Sequence, residues 1–288
     1  MATLTLKDVS YVYSQGTPFE KKALDNVNVT FKSGIITGLI GHTGSGKSTL
    51  VQLLNGLNKP SFGNIYLDNV DIWEKPKEIT SVRFKVGLVM QYPEYQLFEE
   101  TVRKDIAYGP TNMKLDESEI NKRVEESAFF CGITEDMFDK SPFDLSGGQK
   151  RRVAIAGVMA MKPQVLILDE PAAGLDPIGR EEILGGIRTF QRQTGTTVII
   201  VSHSMEDMAV YCDELVVMNK AQVFMTGKTK EIFSQADKLI DVGLDVPQIT
   251  HLFSKLRLSG INLPESIFTI EDAKTAILSY VKSKGGAQ

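Results

Sequence analysis

The feature that most constrains this chain is a glycine-rich octapeptide, Gly41–Ser48, which fits the phosphate-binding pattern G-x-x-x-x-G-K-[ST]. Residues 35–40 before it predict a buried strand, and residues 48–54 after it predict a helix. The glycines allow successive backbone N–H groups to turn towards one point, where a helix N-terminus adds about half a positive charge. Lys47 adds a full charge, and the Ser48 hydroxyl is placed to bind Mg²⁺. This phosphate loop therefore predicts a site for a nucleoside triphosphate.

The alternative is a chance glycine turn before a helix, but it must reproduce eight residues and their strand–turn–helix context by accident. We therefore expect the loop and the start of its helix to bind the nucleotide. The residues concerned are Gly41, Thr43, Gly44, Ser45, Gly46, Lys47, Ser48 and Thr49.

Composition excludes several classes of protein. The 32 basic and 36 acidic residues give a net charge of −4, so no basic excess is available for general nucleic-acid binding. The two cysteines, Cys131 and Cys212, are too few for a metal cluster or a disulfide framework and are expected to be buried thiols. No apolar run approaches the roughly 20 residues that span a bilayer. Any membrane role is therefore expected to come through a partner.

The order of the elements predicts an α/β protein with a mostly parallel sheet. Strands alternate with helices of 10–15 residues, and the strands at 165–168 and 198–201 are apolar throughout, as strands buried on both faces are. Alternating patterns at 3–12 and 23–31, and a small hairpin at 64–72, predict antiparallel strands beside this sheet. Helical segments are expected at about 92–160, within a first domain covering residues 1–229.

From about residue 230 the strand patterns stop, and two amphipathic stretches predict a small helical extension, 230–288. Their apolar stripes are expected to face the main domain or a second copy. The first stripe comprises Val246, Ile249, Leu252, Phe253 and Leu256. The second comprises Ile270, Ala273, Ile277, Leu278 and Val281.

Two adjacent carboxylates, Asp169 and Glu170, follow the apolar strand at 165–168. An aspartate at the carboxyl end of a buried strand suits a Mg²⁺ site, acting on the ion directly or through water. Glu170 would then lie close enough to polarise an attacking water. A solvated turn is the alternative, but the phosphate loop makes hydrolysis the better interpretation.

A second glycine-rich helix start, the signature segment Leu145–Gln149, reads Leu-Ser-Gly-Gly-Gln and precedes three basic residues, 150–152. It predicts a second anion cradle with bare amides and a serine hydroxyl, although Ser-Gly-Gly alone could be a plain N-cap. Asp169-Glu170 follows roughly 23 residues later. With this segment in place, the chain resembles the ATP-binding cassette family. The resemblance implies a P-loop NTPase core of mostly parallel sheet, an antiparallel β subdomain and a helical subdomain.

The resemblance also assigns roles to single residues. Tyr13 stands where the family places an aromatic ring on adenine, with Tyr11 as the alternative. Gln91 matches the glutamine that senses Mg²⁺ and the transmembrane partner. Residues 174–176, ending at Asp176, match the loop through which two active sites communicate. His203 matches the switch histidine that contacts the γ-phosphate, although a lone histidine after a strand is usually structural.

The family implies a head-to-tail dimer, in which ATP lies between one subunit's phosphate loop and the other's signature segment. The sequence agrees, because one phosphate loop is enough for one nucleotide and the second cradle is spare. The residues expected to complete a neighbour's site are Ser146, Gly147, Gly148 and Gln149. Since the chain has one lobe, the other must come from another polypeptide.

A narrower resemblance is to the ATPase subunits of energy-coupling factor transporters, the second ATPase type in particular. It depends on residues 16–20, 90–98, 101–102, 107–110 and 170–180, although Ala172 stands where threonine is usual. It implies a motor at the cytoplasmic face of the membrane for uptake of vitamins, cobalt or nickel. The implied partners are a paralogous cassette ATPase, a transmembrane scaffold and, indirectly, small substrate-binding membrane proteins. Residues 230–288 would be a dimerisation extension.

The aromatic segment Tyr92–Phe98 has no helical or strand period. Exposed together, Tyr92, Tyr95, Leu97 and Phe98 would form an apolar patch of the kind that marks partner sites. The alternative is a loop folded back onto the core. In the family this region receives a helix from the membrane subunit.

Three other functions compete with this interpretation. An ordinary importer ATPase, working with a soluble binding protein, stays open. A chromosome-maintenance ATPase would need a long coiled coil between Gln91 and Leu145, where only 53 residues without sustained heptads lie. A translation factor of the cassette type would carry two lobes. The transported substrate is not encoded in this sequence.

Overall fold

The computed structural model describes residues 2–285. The strands are β1 (Leu4–Tyr13), β2 (Lys21–Phe31), β3 (Ile36–Gly41), β4 (Phe62–Leu67), β5 (Val70–Asp71), β6 (Val86–Val89), β7 (Val165–Asp169), β8 (Thr197–Val201), β9 (Glu214–Asn219) and β10 (Gln222–Lys228). The helices are α1 (Lys47–Leu54), α2 (Ile79–Lys85), α3 (Val102–Asn112), α4 (Glu117–Phe130), α5 (Gly147–Met159), α6 (Pro177–Thr194), α7 (Met205–Tyr211), α8 (Thr229–Phe233), α9 (Ala236–Asp241), α10 (Gln248–Leu258) and α11 (Ile270–Gly285). None of them, over the described residues, is long and apolar enough to cross a bilayer.

The larger sheet has the order β10-β9-β3-β8-β7-β6. Its strands from β9 to β6 are parallel, and β10 is an antiparallel edge. Every residue of β7 and β8 is buried, because the smaller sheet and α1 cover one face of the larger sheet and α3 to α6 cover the other. The prediction from these two apolar runs is confirmed.

The register of the parallel strands brings three chain segments to one edge. Asp169 at the end of β7 pairs with Val201 of β8, and Val201 pairs with Leu39 of β3. The chain leaves these strands into Glu170, towards His203 and into the phosphate loop respectively. The carboxyl edge of the sheet therefore gathers residues that lie more than 150 positions apart.

The smaller sheet is antiparallel, with the order β2-β1-β4-β5. It includes the predicted hairpin, in which Leu67 pairs with Val70. One apolar core fills the space between the two sheets and α1, and a second core lies on the other face of the larger sheet, against α3 to α6. The predicted fold class, an α/β core with an antiparallel β subdomain and helices, is confirmed by this architecture.

The segment between β6 and β7 is helical, with a 3-10 turn at Pro93–Gln96 followed by α3, α4 and α5. Two short helices outside it, α2 and α7, were not predicted. Neither is longer than seven residues, which is too short to establish a periodic pattern. The limits of a helical subdomain at 92–160 stay a prediction.

After β10 the described chain forms four helices, α8 to α11, where the sequence predicted two. Phe253, Leu263, Ile267 and Ala273 make a small separate core. Val246 packs on the main domain, whereas Leu252 of the same predicted stripe is exposed. In the second stripe Ala273 is buried, and the other members, Ile270, Ile277, Leu278 and Val281, are exposed. Residues 286–288 of the predicted extension lie outside the described residues.

Candidate functional site: a nucleotide cleft at the sheet edge

A cleft of about 320 Å³ lies at the carboxyl edge of the larger sheet. The predicted residues that line it are Tyr13, Thr43, Gly44, Gly46, Lys47, Ser48, Thr49, Gln91, Asp169, Glu170 and His203. Lys21, Lys22, Ala23 and Val201 line it as well and were missed by sequence reasoning. Lys21–Ala23 could have been predicted from their position. They lie at the start of β2, which pairs with the strand that ends at Tyr13.

Some predicted residues lie outside the cleft. Gly41 and Ser45 belong to the phosphate loop but do not line the cleft. Ser45 is fully buried. Within the described chain, the signature residues 146–149 and Asp176 do not line this cleft. The Asp176 carboxylate caps α6 by accepting a hydrogen bond from the Gly179 N–H at 2.7 Å. Any nucleotide role for these residues must therefore concern a different cleft.

The phosphate loop leaves the N-terminus of α1 open. Gly46 precedes the helix at φ +107° and no side chain caps the first turn. A Cβ at Gly46 would lie 2.6 Å from the carbonyl oxygen of Ala23, so glycine is required there. The uncapped N–H groups and the helix dipole favour an anion.

Lys47 is buried beside this helix start. Its Nζ donates hydrogen bonds to the carbonyl oxygens of Gly41, at 2.6 Å, and His42, at 3.2 Å. Burial lowers the pKa of Lys47, and the nearby carboxylates of Glu170 and Asp169 oppose that shift. A cation held in place by carbonyl groups at the mouth of an anion cradle is arranged to bind phosphate oxygens.

Asp169 is buried at the end of β7, and the Glu170 side chain that follows it is 13% exposed. Burial raises the pKa of Asp169, with the Lys47 charge and a hydrogen bond with Ser48 opposing it. Burial and the charge of Asp169 raise the pKa of Glu170. The Glu170 Oε1 atom is buried without a hydrogen-bond partner among the described residues, and the backbone there has φ +54°. Hydrogen bonds from the His203 backbone and the Ser202 side chain favour the charged form of this carboxylate. One unpaired carboxylate oxygen beside a strained backbone is typical of a functional site.

His203 faces Glu170 across the cleft, with 3.7 Å between its Nε2 and Glu170 Oε1. Burial and the positive charge of Lys47 lower the pKa of His203, so the imidazole is neutral at pH 7. A neutral imidazole can donate one hydrogen bond and accept another. The cleft also supplies oxygen donors in Ser48, Asp169 and Gln91, which is the ligand chemistry that Mg²⁺ prefers. These residues fit a metal–nucleotide complex.

Of the two tyrosines considered for adenine, Tyr13 lines the cleft and Tyr11 does not. The Tyr13 hydroxyl is 3.1 Å from Thr49 Oγ1, which fixes the ring beside α1. Tyr11 packs against the core between the sheets and meets the Tyr13 ring edge-on, with 4.8 Å between centroids. Tyr11 therefore supports Tyr13.

The signature segment differs from the expected bare cradle. The Gln149 N–H donates to Ser146 Oγ, and Gln149 Oε1 accepts from the Ser146 N–H at 2.9 Å, which closes a capping box. Of the basic residues behind it, Arg151 pairs with Glu94 and Arg152 pairs with Glu182. The helix start is satisfied by its own side chains and lies at the surface.

The aromatic segment is largely exposed. Tyr92, Tyr95 and Phe98 are 53%, 84% and 57% exposed, whereas Leu97 packs against the main core. The loop is anchored through Pro93, which is buried, and through the N–H groups of Phe98 and Glu99, which donate to the Asp105 carboxylate. Three of the four predicted side chains are therefore exposed, and the rings of Tyr92 and Tyr95 lie together, with 6.3 Å between centroids.

Comparison with known proteins identifies the family of this chain. Residues 24–173 match the family described as ABC transporter. The energy-coupling factor transporter ATP-binding protein EcfA2 of Clostridium tetani is 53% identical over 98% of both chains. The corresponding protein of Clostridium acetobutylicum is 54% identical over 97% of this chain and 98% of its own. The chain belongs to the energy-coupling factor transporter ATP-binding proteins.

Solved structures agree with this family. CbiO1 from Clostridium perfringens, part of the ABC transporter complex cbiONQ, is 43% identical with a TM-score of 0.74, covering 87% of this chain and 98% of its own. A dimeric bacterial ABC transporter cassette is 30% identical with a TM-score of 0.71, covering 78% and 98%. The predicted resemblance to the cassette family and to its energy-coupling factor branch is confirmed, as is an ATPase of that class.

Proposed function

We propose that this chain hydrolyses MgATP in a site completed by a second cassette ATPase, and that the cycle drives an energy-coupling factor importer. One observation carries the proposal. The cleft gathers a phosphate loop, the carboxylates Asp169 and Glu170 and a histidine, yet the chain's own signature segment lies outside it. A second glycine-rich helix start, exposed at the surface, is best explained if it serves the nucleotide of a neighbour.

Each group in the cleft has a chemical role in this proposal. The amides before α1 and the Lys47 ammonium hold the β- and γ-phosphates, and Tyr13 takes the adenine ring. Glu170 accepts a proton from, or orients, the attacking water, because a carboxylate with a raised pKa suits a general base near neutral pH. His203 and Gln91 position the γ-phosphate end. The donors Ser48, Asp169 and Gln91 would hold Mg²⁺, which supplies charge neutralisation to the triphosphate when bound.

The proposed partner is a paralogous cassette ATPase. The neighbour's nucleotide would meet Ser146–Gln149, and Asp176 lies on the loop expected to face the other active site. The exposed stripe of α11, including Ile277, Leu278 and Val281, supports a second contact through the C-terminal extension, 230–288. Two subunits that are also joined through their C-terminal extensions can open at the nucleotide sites without dissociating.

The proposed membrane contact is the aromatic segment. Tyr92, Tyr95 and Phe98 are exposed beside Gln91, which lines the nucleotide cleft. A helix of a transmembrane scaffold seated there would place the chain at the cytoplasmic face of the membrane as a peripheral subunit. Small substrate-binding membrane proteins, for vitamins or metal ions such as cobalt or nickel, would join through the scaffold.

The decisive test is Glu170→Gln in the assembled complex. We expect MgATP binding to persist and turnover to fall at least about a hundredfold, because removing one preorganised group from such a site typically removes roughly 3–4 kcal/mol of transition-state stabilisation. ATPase assays and nucleotide-binding titrations measure the two quantities. Glu78→Gln, an exposed carboxylate outside the cleft, is the matched control. Near-normal turnover of the Glu170 variant would overturn its assignment.

The relatives favour an energy-coupling factor importer over an ordinary importer ATPase, although the cassette core is common to both classes. Purifying the tagged chain from native membranes and identifying its companions by mass spectrometry separates them. We expect a second cassette ATPase, one large scaffold protein and small membrane proteins. Two permeases and a soluble binding protein would favour the ordinary importer, and recovery without any membrane protein would contradict both.

A further inference from the structure

Among the described residues, Arg151 is a deeply buried charged residue outside the nucleotide cleft. It lies in the first turns of α5, and its side chain is only 6% exposed. Its guanidinium contacts two segments that are distant in sequence, the aromatic segment and the turn that follows Glu170. Burying a guanidinium opposes folding unless it is fully paired, so its partners matter.

The first partner is Glu94, in the 3-10 turn of the aromatic segment. Arg151 Nη2 donates to Glu94 Oε1 at 2.8 Å, and Nε donates to Oε2 at 3.1 Å. This two-point fork fixes direction as well as distance. Burial opposes ionisation of Glu94, but hydrogen bonds from Arg151 and from its own backbone N–H hold its pKa below the ordinary value. The carboxylate therefore stays charged, and the pair stays formed.

The aromatic segment is also held in a strained shape. Tyr92, directly before the 3-10 turn, has φ +57°, an uncommon backbone conformation for a bulky residue. Such a conformation persists only when its surroundings determine it. The ion pair from Arg151 and the buried Pro93 are the contacts that fix the turn from inside, while Tyr92 and Tyr95 face out.

The second partner is a backbone group next to the chemistry. Arg151 Nη1 donates to the carbonyl oxygen of Ala173. The Ala173 N–H in turn donates to the Glu170 carbonyl oxygen at 3.2 Å, so Arg151 is two hydrogen bonds from the backbone of the proposed base. Leu175 and Asp176 continue the same turn towards the proposed dimer face.

We propose that Arg151 is a positioning residue that links the exposed aromatic segment to the turn after Glu170 and to the helix that carries the signature segment. A partner helix pressing on Tyr92–Phe98 would move Glu94 and, through the fork, both the Ala173 turn and α5. Membrane contact would thereby set the alignment of Glu170 and of the surface offered to the neighbour's nucleotide. This inference rests on the proposed function, because it requires a partner on the aromatic segment.

The test compares ATP turnover of the full complex with that of the isolated ATPase pair. Arg151→Lys keeps the charge but cannot form the fork, and Glu94→Gln keeps the shape but removes the charge. We expect each substitution to lower the complex-to-isolated turnover ratio about tenfold with KM for MgATP within about twofold, which is the signature of an interaction made after nucleotide binding. The double variant should be no worse than the poorer single variant, because both remove one interaction.

Arg123 provides the matched control. It donates to Glu119 and to the Met161 carbonyl oxygen, the same combination of partners, but on α4 and away from the cleft. Arg123→Lys is expected to leave the turnover ratio unchanged at a similar loss of melting temperature. Should Arg151→Lys fail to fold, Glu94→Gln supplies the same measurement.

The outcomes separate this inference from the function beneath it. An unchanged ratio in Glu94→Gln or a folded Arg151→Lys would overturn the positioning role while leaving the proposed function intact. An equal fall in Arg123→Lys would overturn it too, since a general loss of packing would then explain the effect. A wild-type complex with no more activity than the isolated pair would overturn the proposed membrane coupling, and the inference with it.

Discussion

Helices α1 and α5 both begin beside glycines, but their N-termini differ in structure. Helix α1 begins at Lys47 after Gly46, and α5 begins at Gly147 after Ser146. At α1 the backbone is forced to φ +107°, no side chain caps the first turn, and a buried lysine lies near two carboxylates with raised pKa values. At α5 the capping box between Ser146 and Gln149 satisfies the helix start locally. We call the N-terminus of α1 the strained end, because its backbone is strained and its first N–H groups have no side-chain cap. We call the N-terminus of α5 the relaxed end, because its own side chains cap it.

The difference between the two N-termini indicates that local stability is lower where this chain binds its ligand. Unsatisfied donors, unusual backbone angles and buried like charges persist where a ligand will compensate for them. The α1 end therefore belongs to a nucleotide bound by this chain. The α5 end needs no ligand to fold, so its glycines and its exposure have to be explained by something outside the chain.

The largest expected loss of stability comes from Gly46→Ala at the strained end. The new Cβ would lie 2.6 Å from the Ala23 carbonyl oxygen, at a φ that alanine resists. We expect the free energy of unfolding to fall by about 2–3 kcal/mol and MgATP affinity to fall at least about tenfold. Denaturant unfolding and nucleotide titration measure both. Gly185→Ala, in open space on α6, should lose no stability, and equal behaviour of the two variants would contradict the assignment of strain to Gly46.

Gly147→Ala applies the same change to the relaxed end. Among the described residues, nothing lies within 4 Å of a Cβ built there. We expect stability within about 0.5 kcal/mol of wild type and unchanged MgATP binding by the isolated chain. Turnover of the assembled complex should nevertheless fall at least about tenfold, because the methyl group would enter space needed by the neighbour's nucleotide. Full activity in the complex would mean that this helix start does not complete a second site.

The amino-acid sequence predicts the residues around the strained end of α1 more completely than those around the relaxed end of α5. The phosphate loop, the apolar strands β7 and β8 and the carboxylates after β7 each carry a local pattern, and parallel topology brings their ends together. The pairing of Arg151 with Glu94, 57 residues away, has no local pattern. The capping box has a local pattern, a serine with a glutamine three residues later, but a plain N-cap is only the alternative to the predicted anion cradle. Short helices such as α2, α7, α8 and α9 carry too few residues for a period.

Ser146→Ala sharpens the comparison at the relaxed end by removing the cap. The Gln149 N–H loses the Ser146 hydroxyl, and we expect the free energy of unfolding to fall by about 1 kcal/mol. Chemical denaturation of the isolated chain measures it. Gln149→Glu preserves the capping box and should stay close to wild type. Unchanged stability in Ser146→Ala would show that the cap contributes nothing and that the two helix ends differ less than their geometry indicates.

Glu170→Gln tests whether the nucleotide cleft is maintained at the expense of stability. Because burial and Asp169 raise the pKa of Glu170 in the folded chain, its ionised form opposes folding at pH 7. The amide removes that charge, so we expect nucleotide-free Glu170→Gln to be more stable than wild type by about 1 kcal/mol, or about 2–4 °C in melting temperature.

The pH dependence distinguishes this cause from better packing. The advantage of Glu170→Gln should be complete above the raised pKa and should disappear as the pH falls below the ordinary value of 4.5, where the glutamate is protonated in both states. Melting curves of both proteins across this range measure it. A constant advantage at every pH would indicate packing, and a loss at neutral pH would mean that the carboxylate is already satisfied. In that last case the strain at the α1 end would reside in the backbone and Lys47 alone, and Glu170 would have to be ready for catalysis without any cost in stability.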